Sequence, residues 1–247
     1  TRTEKDSIGY MNVPEDAYYG VQAQRASENF QITGLHMHPA FIINMARIKK
    51  AAAITNRNAL RLSPDKSDAI IRACDEIIRG KWMDQFIVDP IQGGAGTSAN
   101  MNINEVIANR AGELLGGKKG AYDKIHPNDH VNMAQSTNDV IPTAGKLTVL
   151  TLMTPLIQEL RRLHDALMKK SEEFDDVIKM GRTQLQDAVP MRLGQTFHGY
   201  ASMIERDILR LTDVSREMYT VNLGGTAIGS CINTSPAYLH NIVPGRQ

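Results

Sequence analysis

The chain has 247 residues, 42% of them hydrophobic and 22% charged, and its formal net charge is +1. That length is enough for one large domain or two smaller ones, and the composition is typical of a globular protein. A charge so close to zero provides no basic field for nucleic acid and excludes that class of partner.

The location of the protein is predicted from its cysteines and its apolar runs. The two cysteines lie far apart in the chain, which favours a reducing cytoplasm over a disulfide-stabilised exterior. The N-terminus lacks the apolar core of a signal peptide, and no uncharged apolar run reaches the length of a membrane span. We therefore expect a cytoplasmic protein with no membrane association.

Two helices are predicted in the first third of the chain. Residues 1–38 lack a sustained period and are interpreted as loops with short strands or turns. Across Pro39–Leu62 apolar residues recur every three or four positions, with the proline in the first turn. Ser63 is then the N-cap and Pro64 the first residue of a second helix, which stops at Gly80.

A glycine loop opens the next predicted helix. Phe86–Ala99 is irregular and contains Gly93-Gly94-Ala95-Gly96, and a helix is predicted over Asn100–Leu115, ended by two further glycines. Glycine before a helix start lets the backbone approach a ligand closely. The loop lacks the Gly-Lys-Ser/Thr ending of a P-loop and the three-glycine dinucleotide fingerprint, and no apolar strand precedes it. A nucleotide site is therefore excluded.

The stretch His126–Ala144 combines a turn-like half, His126–Asp129, with the polar block Gln135–Asp139. Ser, Thr, Asn and Asp suit caps better than helix interiors, so this block predicts a helix entrance. Free N–H groups and the helix dipole at such an entrance form a site for a small anion, such as a carboxylate. An ordinary N-cap before a core helix has the same residue types, so both interpretations stay open.

Two long helices follow, over about Val140–Glu173 and Phe197–Val221. Leucines and other apolar residues between Leu147 and Leu167 recur at intervals of three and four, which is typical of a helix bundle. Each apolar stripe is wider than one partner helix covers, so further helices must cover the rest. The connector Lys179–Met191 is either a binding loop or a helix-to-helix turn with a buried arginine.

The last stretch, Asn222–Gln247, contains Gly224-Gly225-Thr226-Ala227-Ile228-Gly229 and three prolines or glycines beyond it, Pro236, Pro244 and Gly245. We predict no closing helix there. Across the chain, three loops rich in Thr, Ser, Asn or Gln adjoin helices, and no His, Cys or carboxylate cluster has metal-ligand spacing. The sequence therefore predicts chemistry without a metal or cofactor, in which neutral donors stabilise charge on an anionic substrate.

Four motifs resemble the aspartase/class II fumarase family in order and spacing: Gly93–Asn102, His126–Asp129, Gln135–Asp139 and Gly181–Ala188. The resemblance runs from about residue 16 to about residue 234. It implies an all-α fold with a small N-terminal helical domain, residues 1–138, followed by an incomplete long-helix bundle domain, residues 139–247. It also implies a homotetramer in which each active site takes loops from three subunits.

The resemblance implies a substrate site made of Thr97, Ser98, Ser136, Thr137, Asn138, Thr183 and Gln184. Thr97 would hold the amino group or a carboxylate, Ser136 and Thr137 a carboxylate, and Asn138 the leaving group. Thr183 and Gln184 would contact the other side of the substrate. His126, Asn128 and Asp129 resemble a second, peripheral dicarboxylate site of the family.

The implied reaction is the reversible anti elimination of ammonia from L-aspartate to give fumarate. Gln184 stands where fumarases have His, which favours aspartate over malate. The alternatives are a class II fumarase and a non-catalytic protein on the same scaffold. The family's flexible loop Gly-Ser-Ser-x-Met-Pro-x-Lys-x-Asn, with its serine base, is absent here and is expected beyond residue 247. We therefore expect these 247 residues alone to be inactive.

Overall fold

A computed structural model describes residues 1–243 of the chain. Seven α-helices occur in these residues: α1 Val21–Asn29, α2 Pro39–Asn58, α3 Pro64–Ile78, α4 Thr97–Leu114, α5 Thr137–Glu173, α6 Leu193–Ser215 and α7 Pro236–Asn241. Two antiparallel hairpins accompany them: β1 Arg2–Lys5 with β2 Tyr10–Val13, and β3 Ile178–Thr183 with β4 Gln186–Arg192. Short helical turns lie at Met83–Gln85, Pro127–Val131 and Arg216–Tyr219. The predicted all-α class is confirmed.

The chain forms two compact units. The first consists of Thr1–Thr148 together with the described part of Val221–Gln247, and the second of Val149–Thr220. The chain thus leaves the first unit within α5 and returns to it after α6. The predicted boundary between residues 138 and 139 falls inside the first unit, and the division into family domains stays a prediction.

The core of the first unit lies between α2, α3 and α4. Each contributes fully buried side chains, including Met45, Ile70, Ile77, Ile103 and Ile107. Burying an aliphatic side chain stabilises a fold by about 1.5–3 kcal/mol, so this cluster supplies much of the stability of the unit. The predicted helix boundaries hold here to within a few residues because glycines in the left-handed conformation end α3 and α4, at Gly80 (φ 85°) and Gly116 (φ 76°).

A helix that was not predicted, α1, is held by a buried carboxylate on α4. Glu105, 1% exposed, accepts the backbone N–H groups of Gly20 (2.9 Å), Gln22 (2.9 Å) and Ala23 (3.0 Å). These are N–H groups that the first turn of a helix leaves without intrahelical partners. The helix has no apolar period of its own, so sequence periodicity alone did not indicate it.

The second unit contains a β-hairpin where a polar loop was predicted. Strands β3 and β4 pair in antiparallel register with a bulge between Met180 and Arg182. The turn residues Gln184 and Leu185 have positive φ, 50° and 65°. Arg182 is exposed and forms an ion pair with Asp187 at 2.9 Å, so the alternative of a helix-to-helix turn with a buried arginine is wrong.

The apolar stripe of α5 is only partly covered within the chain. Leu152, Leu156 and Leu163 are 42%, 47% and 46% exposed, as expected for a bundle helix that needs further partners. One 18-residue window of α5 is also long and apolar enough to cross a membrane. The window is not an uncharged apolar run, because it includes the charged Lys146. One such helix is weak evidence, since core helices of soluble proteins have the same length and composition.

A short closing helix corrects the prediction for the end of the chain. Helix α7 has six residues and begins after Ser235, whose hydroxyl accepts the N–H of Tyr238 at 3.2 Å. Tyr238 is fully buried and packs with Ala52 and Ile242. The remaining residues for which the prediction was made, Pro244 and Gly245, lie outside the described residues.

Candidate functional site

The entrance of α5 is capped by two side chains. The hydroxyl oxygen of Ser136 accepts the N–H of Asn138 at 3.2 Å, and the carboxylate of Asp139 accepts the N–H of Ser136 at 2.9 Å. Together the two bonds fix the helix start and the loop before it. The predicted helix entrance is confirmed, and its N-cap function does not prevent the same residues from bordering a cavity.

The second oxygen of Asp139 holds a distant segment against this entrance. It accepts the N–H groups of Gly224 at 3.2 Å and Thr226 at 2.9 Å. Next to it, the side-chain amide of Asn138 donates to the carbonyl oxygen of Ala227 at 2.7 Å. Asp139 is 1% exposed, so these bonds are shielded from water. The glycine-rich segment of the sequence is therefore a wall beside the α5 entrance.

A cavity of about 800 Å³ opens between these elements of the first unit. It is lined by Asn100 and Met101 of α4, Asn128 and Asp129, the loop Asn132–Thr137, Arg61, and residues within 226–233. The volume is within the range of small-molecule sites. Its lining is rich in neutral hydrogen-bonding groups, and it takes residues from both of the sites that the resemblance implied.

The floor of the cavity is a network of side-chain amides. The Nδ2 atom of Asn100 lies 3.2 Å from the hydroxyl of Thr137 and 3.3 Å from Oδ1 of Asn132. Gln135 donates to the carbonyl oxygens of Val131 and Met133, while its own oxygen is buried without a partner among the described residues. The cavity therefore offers the hydroxyl donors of Ser136 and Thr137.

The predicted second site forms one turn at the rim of this cavity. Nδ1 of His126 accepts the N–H groups of Asn128 at 3.3 Å and Asp129 at 3.2 Å. The same nitrogen lies 3.3 Å from the carboxylate of Asp129. Burial, together with the neighbouring Lys66, lowers the pKa of His130, so His130 is neutral at pH 7.

The structure brings only some of the predicted residues together. Ser136, Thr137, Asn128 and Asp129 line the cavity, whereas Thr97, Ser98, Asn138 and His126 are absent from its lining. Thr97 is the first residue of α4, after Gly96 in the left-handed conformation (φ 90°). Thr183 and Gln184 belong to the hairpin of the second unit. Their roles stay predictions. In residues 1–243 no group of three His, Cys, Asp or Glu is placed to bind a metal.

Sequence reasoning missed several residues of the cavity. Asn132 and Arg61 carried no signal, since single polar residues between helices are common. Thr226 lies in the glycine-rich run Gly224–Gly229, from which the sequence predicts no binding role. That run was the one signal that pointed to this wall, because clustered glycines mark close backbone approach.

The fold and the site define a class: an all-α protein with two long helices, α5 and α6, and a polar cavity at a helix N-terminus. A family profile described as "Lyase" matches residues 9–244. The chain belongs to this lyase family, within the aspartase/fumarase superfamily.

Two sequence relatives of this chain are aspartate ammonia-lyases. The chain is 54% identical over 238 residues to an aspartate ammonia-lyase of a Bacillus species, which covers 96% of this chain and 51% of that protein. It is 53% identical over 242 residues to the aspartate ammonia-lyase of Bacillus subtilis. This match covers 98% of this chain and 51% of the relative. The chain thus spans about half the length of the curated relatives it matches.

Solved structures agree with the fold. A fumarate lyase:delta crystallin from Brucella melitensis bound to cobalt matches with a TM-score of 0.94 and 51% identity, covering 98% of this chain and 53% of that one. A class II fumarase from Schistosoma mansoni matches with a TM-score of 0.91 and 38% identity, covering 98% and 51%. This chain therefore shares its helical arrangement with the fumarate lyase:delta crystallin and with the class II fumarase.

Proposed function

We propose that the full-length protein carrying this chain is an aspartate ammonia-lyase that converts L-aspartate to fumarate and ammonia. The observation that carries the proposal is the cavity at the α5 entrance, lined by Ser136 and Thr137 beside the amides of Asn100 and Asn132. Neutral donors at a helix N-terminus suit a carboxylate. The identity of about half the residues to aspartate ammonia-lyases supports aspartate as the substrate.

In this proposal the residues of the chain hold the substrate and another part of the protein supplies the base. The resemblance implies a serine alkoxide that removes the C3 proton. The electron pair passes into the adjacent carboxylate, then forms the C2–C3 double bond as the C2–N bond breaks and ammonia leaves. The C3 proton is very weakly acidic, so hydrogen bonds from Ser136 and Thr137 to the charge-accumulating carboxylate lower the barrier.

The proposal also covers the oligomeric state and the cellular location of the full-length protein. The uncovered stripe of α5, with Leu152, Leu156 and Leu163 more than 40% exposed, supports a homotetramer in which helices of other subunits cover it. We also propose a cytoplasmic enzyme without nucleic-acid or membrane partners and without a cofactor. The 247 residues alone are proposed to be inactive, because the serine base lies elsewhere.

The second candidate is a class II fumarase, since such an enzyme matches in structure with a TM-score of 0.91. The two are distinguished by measuring fumarate formation from L-aspartate and from L-malate on the full-length protein, by ultraviolet absorbance. We expect aspartate to be preferred, and a clear preference for malate would reverse the assignment. Turnover of neither substrate would favour a non-catalytic protein.

A parallel preparation controls for enzymes of the expression host. The Thr137→Val variant keeps the side-chain shape and is expected to lower kcat/KM with aspartate at least roughly tenfold, whereas activity from a contaminating host enzyme would remain unchanged. Thr154, exposed on the same helix, provides the matched Thr154→Val variant, which is expected to keep full activity.

A further inference from the structure

A fully buried lysine lies beneath the floor of the cavity. Lys49 of α2 is 0% exposed, and its ammonium donates to Oδ1 of Asn100 at 2.9 Å and to Oδ1 of Asn132 at 2.8 Å. Among the described residues no carboxylate lies within ion-pair distance of it. A buried charge without an ionic partner is costly, and here two amide oxygens offset part of that cost.

The lysine determines which way both asparagines face. An ammonium has only donors, so the amide oxygens point toward Lys49 and the amide NH2 groups point away from it. The Nδ2 atom of Asn100 then lies 3.2 Å from the hydroxyl oxygen of Thr137 and donates to it. The Thr137 O–H has no acceptor among the described residues, and Thr137 lines the cavity.

These bonds form a chain with one direction: Lys49 donates to Asn100, Asn100 donates to Thr137, and Thr137 is left to donate into the cavity. Hydrogen bonds in a chain polarise one another, and a cation at its start strengthens the last donor. The polarisation is stronger in a buried network than in water because the local dielectric is low.

The charge of Lys49 responds to its surroundings. Burial lowers its pKa to about 7, while Asp139 of α5 raises it. Burial raises the pKa of the Cys74 thiol to about 12, so Cys74 is neutral. The Asp139 carboxylate is engaged by three backbone N–H groups. An anion in the cavity favours the protonated lysine, so binding and protonation reinforce each other.

We infer that Lys49 is a positioning residue that, through Asn100, aims and strengthens the Thr137 hydroxyl for a substrate carboxylate. The inference rests on the proposed dicarboxylate function. It assigns a role in the reaction to a residue that does not itself touch the cavity.

The test measures succinate, an inert dicarboxylate, binding to the full-length protein by calorimetry. Lys49→Met is expected to weaken succinate binding about tenfold or more, as loss of a charge-assisted bond does. Lys50→Met is the matched control: Lys50 is the next residue of α2, and its ammonium pairs with Asp75 at 2.6 Å near the surface. That control is expected to bind as the wild type does.

A double-mutant cycle distinguishes a relay from a structural effect. In a Thr137→Val background, Lys49→Met is expected to weaken binding by less than about twofold, because the relay has already lost its last donor. Losses that multiply would show that Lys49 acts independently of Thr137 and would overturn the inference, as would unchanged binding by a folded Lys49→Met variant.

A second measurement does not depend on Lys49→Met folding. Wild-type affinity for succinate is expected to fall as pH rises through about 7, where Lys49 loses its proton, and Thr137→Val is expected to flatten this dependence. The same pH dependence in both proteins would overturn the inference. If the wild type binds no dicarboxylate at all, both this inference and the proposed function fail. If succinate binds but its affinity depends neither on pH nor on Lys49 in this way, the inference fails and the proposed function stands.

Discussion

The carboxylate of Asp139 accepts the backbone N–H of Thr226 at 2.9 Å across 87 positions of sequence. The same side chain caps the entrance of its own helix through the N–H of Ser136. One buried carboxylate thus holds the polar loop and the glycine-rich wall on either side of the cavity. Asp139 therefore stabilises both the start of α5 and the wall of the candidate site.

Replacing Asp139 with asparagine is expected to destabilise the protein. Asparagine has one oxygen in place of two, and its NH2 group faces backbone N–H groups that then lack an acceptor. Leaving such groups buried and unpaired costs about 1–3 kcal/mol or more, so the free energy of unfolding falls by that amount. Urea unfolding of Asp139→Asn measures it. Asp165→Asn, an exposed position of the same helix, is the control, and equal stability of the two variants would contradict the assignment.

The Thr137 hydroxyl is expected to contribute directly to turnover. Thr137→Val leaves a substrate carboxylate oxygen without a partner, and a hydrogen bond to a charged group contributes about 1.5–3 kcal/mol. In the full-length enzyme kcat/KM with aspartate should therefore fall at least roughly tenfold. An unchanged kcat/KM in a folded variant would move the carboxylate site away from the α5 entrance.

Lys49 is expected to make stability depend on pH in a particular direction. Its pKa is lowered from 10.5 to about 7, so between these values the unfolded chain binds a proton that the folded protein does not. The free energy of unfolding, compared with that of Lys49→Met, should therefore rise with pH above 7, by at most about 1.4 kcal/mol per pH unit. Below pH 7 the difference in unfolding free energy between wild type and Lys49→Met becomes constant, because Lys49 is protonated in both the folded and the unfolded chain.

Urea unfolding at several pH values between about 7 and 9 gives this slope, and the difference between wild type and variant removes the contributions of other groups. A difference that falls with rising pH would mean that Lys49 is protonated more strongly when folded than when unfolded.

Glu105 is expected to be essential for the order of the N-terminal segment. The Glu105 carboxylate accepts the N–H groups of Gly20 and Ala23 on one oxygen and that of Gln22 on the other, and Glu105→Gln replaces one of these oxygens with an NH2 group. Leaving a buried N–H without its acceptor costs about 1–3 kcal/mol. Hydrogen exchange should show faster exchange in α1 before global unfolding.

Glu28→Gln is the matched control for this experiment, because Glu28 is exposed on α1 itself and bonds only Gln24 among the described residues. If both variants exchange alike, the carboxylate of Glu105 does not anchor the helix.

Local features of the fold were predictable because their causes are local. Proline at the first turn of α3, glycine after α3 and α4, and the Ser136 cap of α5 each act within a few residues. The β-hairpin and α1 were not predictable in this way. The hairpin strands alternate too weakly to be recognised, and α1 depends on a carboxylate more than 80 positions away.

The sequence by itself determined the helix-rich class, the helix ends, and the family, because periodicity, caps and motifs are properties of neighbouring residues. Only the tertiary structure decided that Thr226 faces Ser136 across a cavity and that Lys49 lies beneath Asn100 and Asn132. Such pairings arise when packed helices bring distant side chains into a common buried space. Their hydrogen bonds depend on that packing, and no spacing along the chain encodes it.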